Sequence, residues 1–463
     1  MKALQKHIIR NVSVEYHYDS SADPFDLRQE ADDWSRRQLQ ETLEEVLRSF
    51  DDYEEHICID KLSININTEA EGWQREATDM FRHELFKQVR SYASKDSNIS
   101  GQKIISQQDF TADLLIHFFL HGSFPWWSSI VSTNDFTDAV TQMLSAPLQQ
   151  STIEKLMHSF EYVISRERAA NVLGAKLLGE LLFIILPDKK QKLQQFQVDC
   201  EVLMDHVKEE GKSYFQKIVK TAMMNSAFDT GIVADLFRES IERGLLPIQM
   251  LQSATVSSPE IRQAITFLGN LSAESELSKD DIKALHPVGS QELYDHHRED
   301  EIYIPNAGLV ILAPFLSTLF SRLGLLDDVI ITNRAFAVCL TQYLVTGNDK
   351  MEEFELVLPK ILCGLEPEEL IDTAIIPTAA HKKEADELLQ SVIEYWSILK
   401  NTSAEGFRDS FLQRKGKLSF NNNKWWLQVE QRSYDMLLRQ LPWTIHMIRL
   451  PWIKHMIETE WVY

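Results

Sequence analysis

Cysteine is scarce in this chain. Only Cys58, Cys200, Cys339 and Cys363 occur among 463 residues, and no two are closely spaced. That excludes a disulfide scaffold or a zinc ribbon and suits a reducing compartment. Glycine (16) and proline (14) are also sparse, which excludes collagen-like and low-complexity chains. Basic residues fall well short of acidic ones, 47 against 69, leaving a formal charge of −22. A phosphate backbone is repelled by that average. Arg36-Arg37 and Lys382-Lys383 are isolated basic pairs flanked by acids, so no nucleic-acid partner is expected. Long apolar runs are missing too. Leu177 to Leu186 covers about half of the roughly twenty residues a bilayer requires. Ala307 to Leu326 is longer and carries a single charge, Arg322, but Gly308, Pro314, Ser317, Thr318, Ser321 and Gly324 suit a buried core helix better than a lipid-facing one. The opening Met1 to His7 has no apolar core of a secretory signal. A soluble chain without stable membrane insertion is expected, in two to four domains by its length.

Signatures of chemistry are equally thin. His117 and His121 stand four apart on a helix, the spacing of a zinc-protease pair. Phe118-Phe119-Leu120 fills the interval, so the general-base Glu is missing. His296-His297 sits in an acidic stretch, and His446 and His455 recur because a peptide around them recurs. There is no phosphate-cradling glycine loop and no nucleophile elbow. Acidic pairs such as Glu44-Glu45, Asp51-Asp52 and Glu352-Glu353 read as solvated helix faces. The sequence therefore offers no catalytic residue, no cofactor and no metal ligand set.

What the chain does contain is helical periodicity with small strand signals. The expected class is mainly α with small β elements, in several domains. Ile9, Val12, Val14, Tyr16 and Tyr18 alternate over 7–18 like a half-buried strand. A helix follows over about 26–50, with Ala31, Trp34, Leu39, Leu43, Val46, Leu47 and Phe50 on one stripe. A second alternating run, Ile57, Ile59, Leu62, Ile64 and Ile66, shifts phase as at a bulge. A helix over about 71–92 closes a β-α-β-α unit in residues 1–95. A helix over about 110–121 then ends at Gly122. Residues 108–271 read as a helical array punctuated by Pro147, Pro187, Pro247 and Pro259. Residues 272–300 read as an acidic linker, and 301–463 as a C-terminal helical domain with a Trp-rich end. In that domain Ile302 to Ile304 and a Pro305-Asn306 turn precede an apolar helix. Further helices are expected at about 333–345, 354–363, 380–400, 404–414 and 433–440, with a Thr402–Glu405 capping box before the fourth. Residues 417–430 read as a hairpin turning at Asn421-Asn422-Asn423. The chain closes on a nonapeptide repeat, Leu441 to Arg449 then Leu450 to Glu458, each copy with Pro at the start of a short helix.

All ten tryptophans avoid the helical stretch from about 134 to 300, and several follow proline, which fixes the entry angle of the ring. Packing of irregular turns accounts for such placement. Rigid aromatic anchors for a protein partner are the alternative. On that alternative the interaction residues are Phe124, Pro125, Trp126 and Trp127, then Pro305 and Asn306, then Pro442, Trp443, Pro451, Trp452 and Trp461.

Several of these segments together resemble one family. They are His7-Ile-Ile-Arg10, Phe119-Leu120-x-Gly122-x-Phe124-Pro125-Trp126-Trp127, Ile302 to Val310, Leu362-Cys-Gly-Leu365, Phe407 to Gly416, and the two Leu-Pro-Trp copies at Leu441 and Leu450. The chain is similar to the contractile injection system tape-measure proteins, chiefly over 1–130 and 300–463. The resemblance implies a structural protein of a phage-tail-like particle that sets the length of tube and sheath. An assembly scaffold or chaperone without a ruler role is the alternative. It implies contacts with tube, baseplate or cap proteins, with a second copy as a further candidate. It also implies a cytoplasmic location during assembly and a place inside the tube or at its end afterwards. No catalytic residue or cofactor comes with it. A fully helical chain of this length would span about 690 Å at ~1.5 Å per residue, whereas the prolines favour compact packing of short helices.

Overall fold

The computed structural model describes residues 7–17, 24–53, 56–68, 72–93, 102–130, 132–205, 207–228, 257–259, 261–262, 301–399 and 401–462. The expected linker 272–300 and Pro247 lie outside them. The chain divides into two compact units, Met1–Asp113 and Leu114–Tyr463. Helices dominate, with small sheets, in agreement with the expected class.

The first unit is built on two helices. One runs through α1 Pro24–Trp34, a π-turn Ser35–Leu39 and α2 Gln40–Arg48; the other is α3 Trp73–Ala93. The π-turn has a sequence cause. Trp34 and Leu39 are five residues apart, and a wider turn returns both to the buried stripe that Val46 and Phe50 continue. Trp34 packs on Trp73 and Phe81 at ring distances of 5.8 and 6.4 Å, and its indole N–H donates to Thr78 Oγ1 at 2.9 Å. Leu62, Ile64 and Ile66 lie against this core. The strand pattern differs from expectation. Residues 7–17 and 61–68 form no strand, and the unit reads helix, β1 His56–Ile59, helix, β2 Gln102–Ile105, with β1 and β2 antiparallel. Alternation selects the face a segment presents, but strand formation also needs a neighbour to pair with. Tyr16 donates instead to the carbonyl of Ala31 at 3.0 Å, and Ile8, Ile9, Val12 and Val14 stay exposed.

The boundary between the units falls within α4 Gln107–His121, which ends at Gly122 with φ +72°, as its spacing predicts. The second unit continues with α5 Thr133–Leu144, α6 Gln150–Ser159, α7 Val163–Val172, α8 Ala175–Ile185, α9 Lys190–Met204 and α10 Lys212–Ala227. Lys220 donates to the terminal carbonyls of Asn171 and Leu173, and Lys189 to that of Ala227, so two lysines close helix ends from neighbouring helices.

The C-terminal block of the same unit opens with β3 Ile302–Ile304, a 3-10 helix Ala307–Leu312 and α11 Ala313–Arg322. The long apolar run is therefore two short buried helices, and no described helix is long and apolar enough to cross a membrane. A small hairpin follows, β4 Leu326–Asp327 with β5 Ile330–Ile331. Then come α12 Arg334–Thr346, α13 Val357–Leu362, α14 Ala379–Tyr395 and α15 Ala404–Phe407, the last extended by a π-turn Arg408–Leu412. The expected capping box is displaced by one residue. Ser403 caps α15 by accepting from Gly406 N at 3.0 Å, while Thr378 and His381 form a box at α14. Strands β6 Gly416–Asn421 and β7 Lys424–Val429 make the expected hairpin. Asn422 and Asn423 both take positive φ, 51° and 61°, as a two-residue turn demands.

The nonapeptide copies are not helices. Each is a Pro-Trp turn followed by a strand, β8 Met447–Ile448 in the first and β9 Ile457–Glu460 in the second. They pair antiparallel with Ile448 opposite Ile457, equivalent positions of the two copies. The sheet order is β3-β6-β7-β9-β8. Pro can begin a helix, but two β-branched isoleucines per copy, beside an existing sheet edge, favour the strand.

This packing makes a thiol prediction. Burial raises the Cys339 thiol to about 11 and the Cys363 thiol to about 12, and pushes Cys200 upward as well, whereas Cys58 is half-buried. At neutral pH a disulfide reagent should label Cys58 first, and the other three only on unfolding. Fast labelling of all four in buffer would contradict the core described here.

Candidate functional site

The Pro-Trp turns fall into two groups. Phe124 of the first turn stacks on Phe118 at 5.0 Å and meets the tilted rings of Phe136 at 5.6 Å and Phe354 at 4.9 Å; Pro125 is buried, and Trp126 and Trp127 are half-buried. Phe354 belongs to the C-terminal block, so this turn is a seam between helical array and block. Behind the turn stands an ionic cluster. Arg168 on α7, fully buried, donates to Glu353 Oε1 at 2.9 Å, to the Phe119 carbonyl at 2.6 Å and to the Glu368 carbonyl at 2.5 Å. Lys360, equally buried, reaches Glu353 Oε1 at 3.4 Å and the Pro367 carbonyl at 3.1 Å. Burial drives the Lys360 ammonium below the usual lysine range, and Glu353 acts in the opposite direction. Gly122 lies on this cluster: a Cβ there would stand 2.8 Å from Glu353 Oε1 and 3.0 Å from the Arg168 guanidinium.

The second group is the repeat. Trp443 donates its indole N–H to the Ile311 carbonyl at 3.0 Å, and Trp452 donates to the Leu362 carbonyl at 2.7 Å. Both acceptors sit at the end of a short buried helix, where carbonyls have no intrahelical partner. The two copies thus perform the same task at two places. Around Trp443 gather Phe315 at 4.9 Å, Trp396 at 6.4 Å and Tyr395, stacked at 5.6 Å and 6°. Trp452 meets Phe320 at 5.7 Å, and its carbonyl would stand 2.6 Å from a Cβ at Gly364, whose φ is +78°. Trp443 and Trp452 are half-buried, and Pro442 and Pro451 are exposed.

Besides Pro125, two expected interaction residues are internal. Trp461, 2% exposed, donates to Asp435 Oδ2 at 3.0 Å, beside the fully buried Arg414, which is bidentate to Asp435 at 2.6 and 2.9 Å. Asn306, 1% exposed, donates to Gln342 Oε1 at 2.9 Å and the Glu355 carbonyl at 2.7 Å, while Pro305 beside it is exposed. The Trp461 indole N–H and the Asn306 amide N–H groups are thus spent within the fold. Sequence reading missed Arg168, Lys360, Arg414 and Arg408, the last donating to the Leu344 carbonyl at 3.1 Å and Asp386 at 2.7 Å. Arg408 and Arg414 lie in the Phe407 to Gly416 segment, a signal that was present; Arg168 carries none.

Among the described residues no group of three or more His, Cys, Asp or Glu is placed to hold a metal ion. A pocket of about 280 Å³ opens beside Trp443, lined by Leu438, Arg439, Leu441, Thr444, Ile445 and His446. The arrangement can hold a polypeptide side chain next to an aromatic shelf.

The buried cluster supports a quantitative expectation. Glu353→Ala leaves Arg168 and Lys360 buried without their carboxylate, and should cost about 3–5 kcal/mol in urea unfolding of the full chain. Within 1 kcal/mol of the parent, the seam would not depend on this cluster.

Comparison with known proteins places these motifs. No curated protein and no solved structure matched. A family model for contractile injection system tape measure proteins matches residues 6–461. The match runs through the Phe124 turn, the Gly364 contact and both repeat copies, and the chain belongs to the contractile injection system tape measure protein family.

Proposed function

We propose that the chain sets the length of the tube and its sheath during assembly of a contractile injection particle. The observation that carries this reading is the family match across almost the entire chain, from residue 6 to 461. The role is structural and not catalytic: the buried ionisable groups Arg168, Glu353, Lys360, Arg414 and Asp435 are all engaged in holding the fold. Partners are tube, baseplate or cap proteins, contacted through the half-buried Trp126, Trp127, Trp443 and Trp452 and the exposed prolines beside the last two. The protein works in the cytoplasm while the particle assembles, and lies inside the tube or at its end when assembly is complete.

A second reading has an observation of its own. Residues 114–463 form one compact unit, and its described α-helices are no longer than the 17 residues of α14. A body of that kind suits a scaffold or chaperone that captures tube subunits without fixing their number.

Removing residues 272–300 separates the two. This polar stretch contributes little apolar surface, so the fold should survive, which circular dichroism checks first. A ruler with that stretch extended as helix should give tubes shorter by roughly 40 Å at ~1.5 Å per residue, measured by electron microscopy. Unchanged length with normal yield would favour the scaffold.

A further inference from the structure

The five-stranded sheet ends on β8, whose described pairing is to β9 alone. An edge strand presents N–H and C=O groups that another chain can pair with. The pocket beside Trp443 opens where β8 begins, and Arg439 and His446 both line it. Arg449 follows β8 directly. Because Ile448 is buried, alternation puts Arg449 on the outer face with Met447, which is 62% exposed. Tyr395, 61% exposed, stacks on Trp443, which itself lines the pocket. The repeat copies diverge at this point: the inner copy carries Glu458, paired with Lys424, where the edge copy carries Arg449. A chain of net charge −22 thus carries Arg439 and His446 in the pocket at the described edge of its sheet, with Arg449 on the Met447 face.

We propose that β8 accepts an extended segment of a partner polypeptide by strand addition, with an acidic side chain of that segment seated in the pocket beside Arg439 and His446. The inference rests on the reading of Trp443 as partner-facing and adds the chemistry of what it faces. Main-chain pairing supplies affinity, and the pocket selects the side chain. Apolar residues on the other face of the added strand cover Met447. The charge of the whole chain sharpens the argument, since its average field repels acidic peptides and attracts basic ones. A preference for acid must therefore be local.

The test uses the full chain and two labelled peptides, Ac-Val-Glu-Val-Glu-Val-NH2 and its lysine counterpart, with binding read by fluorescence anisotropy. The glutamate peptide should bind at least about tenfold more tightly than the lysine peptide, and Arg439→Glu should abolish that preference. Arg439 is exposed, so this variant should keep the fold. Equal affinities, no binding of the glutamate peptide, or a preference indifferent to Arg439→Glu would each overturn the proposal. So would a concentration-dependent dimer abolished by Arg439→Glu in sedimentation, because it assigns the edge to a second copy. Particle assembly separates this inference from the reading beneath it. Failure of Trp443→Ala with folded protein, alongside normal assembly of Arg439→Glu, retains the partner-facing tryptophan and removes acid recognition. Normal assembly of both removes both.

Discussion

The second unit depends on one carboxylate. Glu353 receives Arg168 from the helical array and Lys360 from the C-terminal block, two full charges taken out of water. Such ions are expensive to bury, and the cost is offset only when every donor finds an acceptor. Here the remaining donors are spent on the main-chain carbonyls of Phe119, Glu368 and Pro367. The cluster joins residues 119, 168, 353–360 and 367–368, far apart in sequence, so it fixes where array and block meet. An apolar seam would hold as well, but it would tolerate sliding. Charged donors aimed at particular carbonyls do not.

The repeated tryptophans answer a related problem. Short helices bury a large share of their terminal carbonyls relative to their length. Ile311 and Leu362 end two such helices in the core, and each receives an indole N–H from an equivalent position of the repeat. The ring fills space while its one donor satisfies the carbonyl, and proline ahead of it holds the turn. Packing, the first of the two readings open to these tryptophans, therefore accounts for the indole N–H of both copies. What remains for a partner is the outer part of each half-buried ring and the groups around it.

Periodicity made the helices and the 417–430 hairpin legible, because burial of one face is a local property of sequence. Gly122 and the Asn422-Asn423 turn were legible for the same reason: positive φ favours few residue types. Strand partners were not. The 7–17 run alternates yet forms no strand, and the repeat, which begins like a helix, pairs with its own copy across the sheet. Both outcomes turn on neighbours brought in from elsewhere in the chain. The ionic core was invisible for a further reason. Arg168 stands in an Arg166-Glu167-Arg168 run that looks like any solvated helix face, and only its burial distinguishes it. The pocket was partly legible: Trp443 was singled out, but Arg439, which lines it as well, was not.

Compactness and the proposed ruler role pull against each other, and the distribution of polar contacts bears on how. Within the C-terminal block the core is a continuous apolar cluster from Ile304 to Trp461. Between array and block the described contacts include Arg168–Glu353, Lys217–Asp372 at 3.0 Å and Thr133–Glu352, alongside Phe124 on Phe354. Ionic and hydrogen-bonded contacts regain water when they separate, so an interface rich in them costs less to open than an apolar core of equal area. If the chain lengthens during assembly, the array leaves the block before the block itself unravels. The block would then remain a folded head that carries the β8 edge, and the array would supply the extendable part. Measurement and attachment would thereby reside in different parts of one compact unit, divided by the seam that Glu353 holds closed.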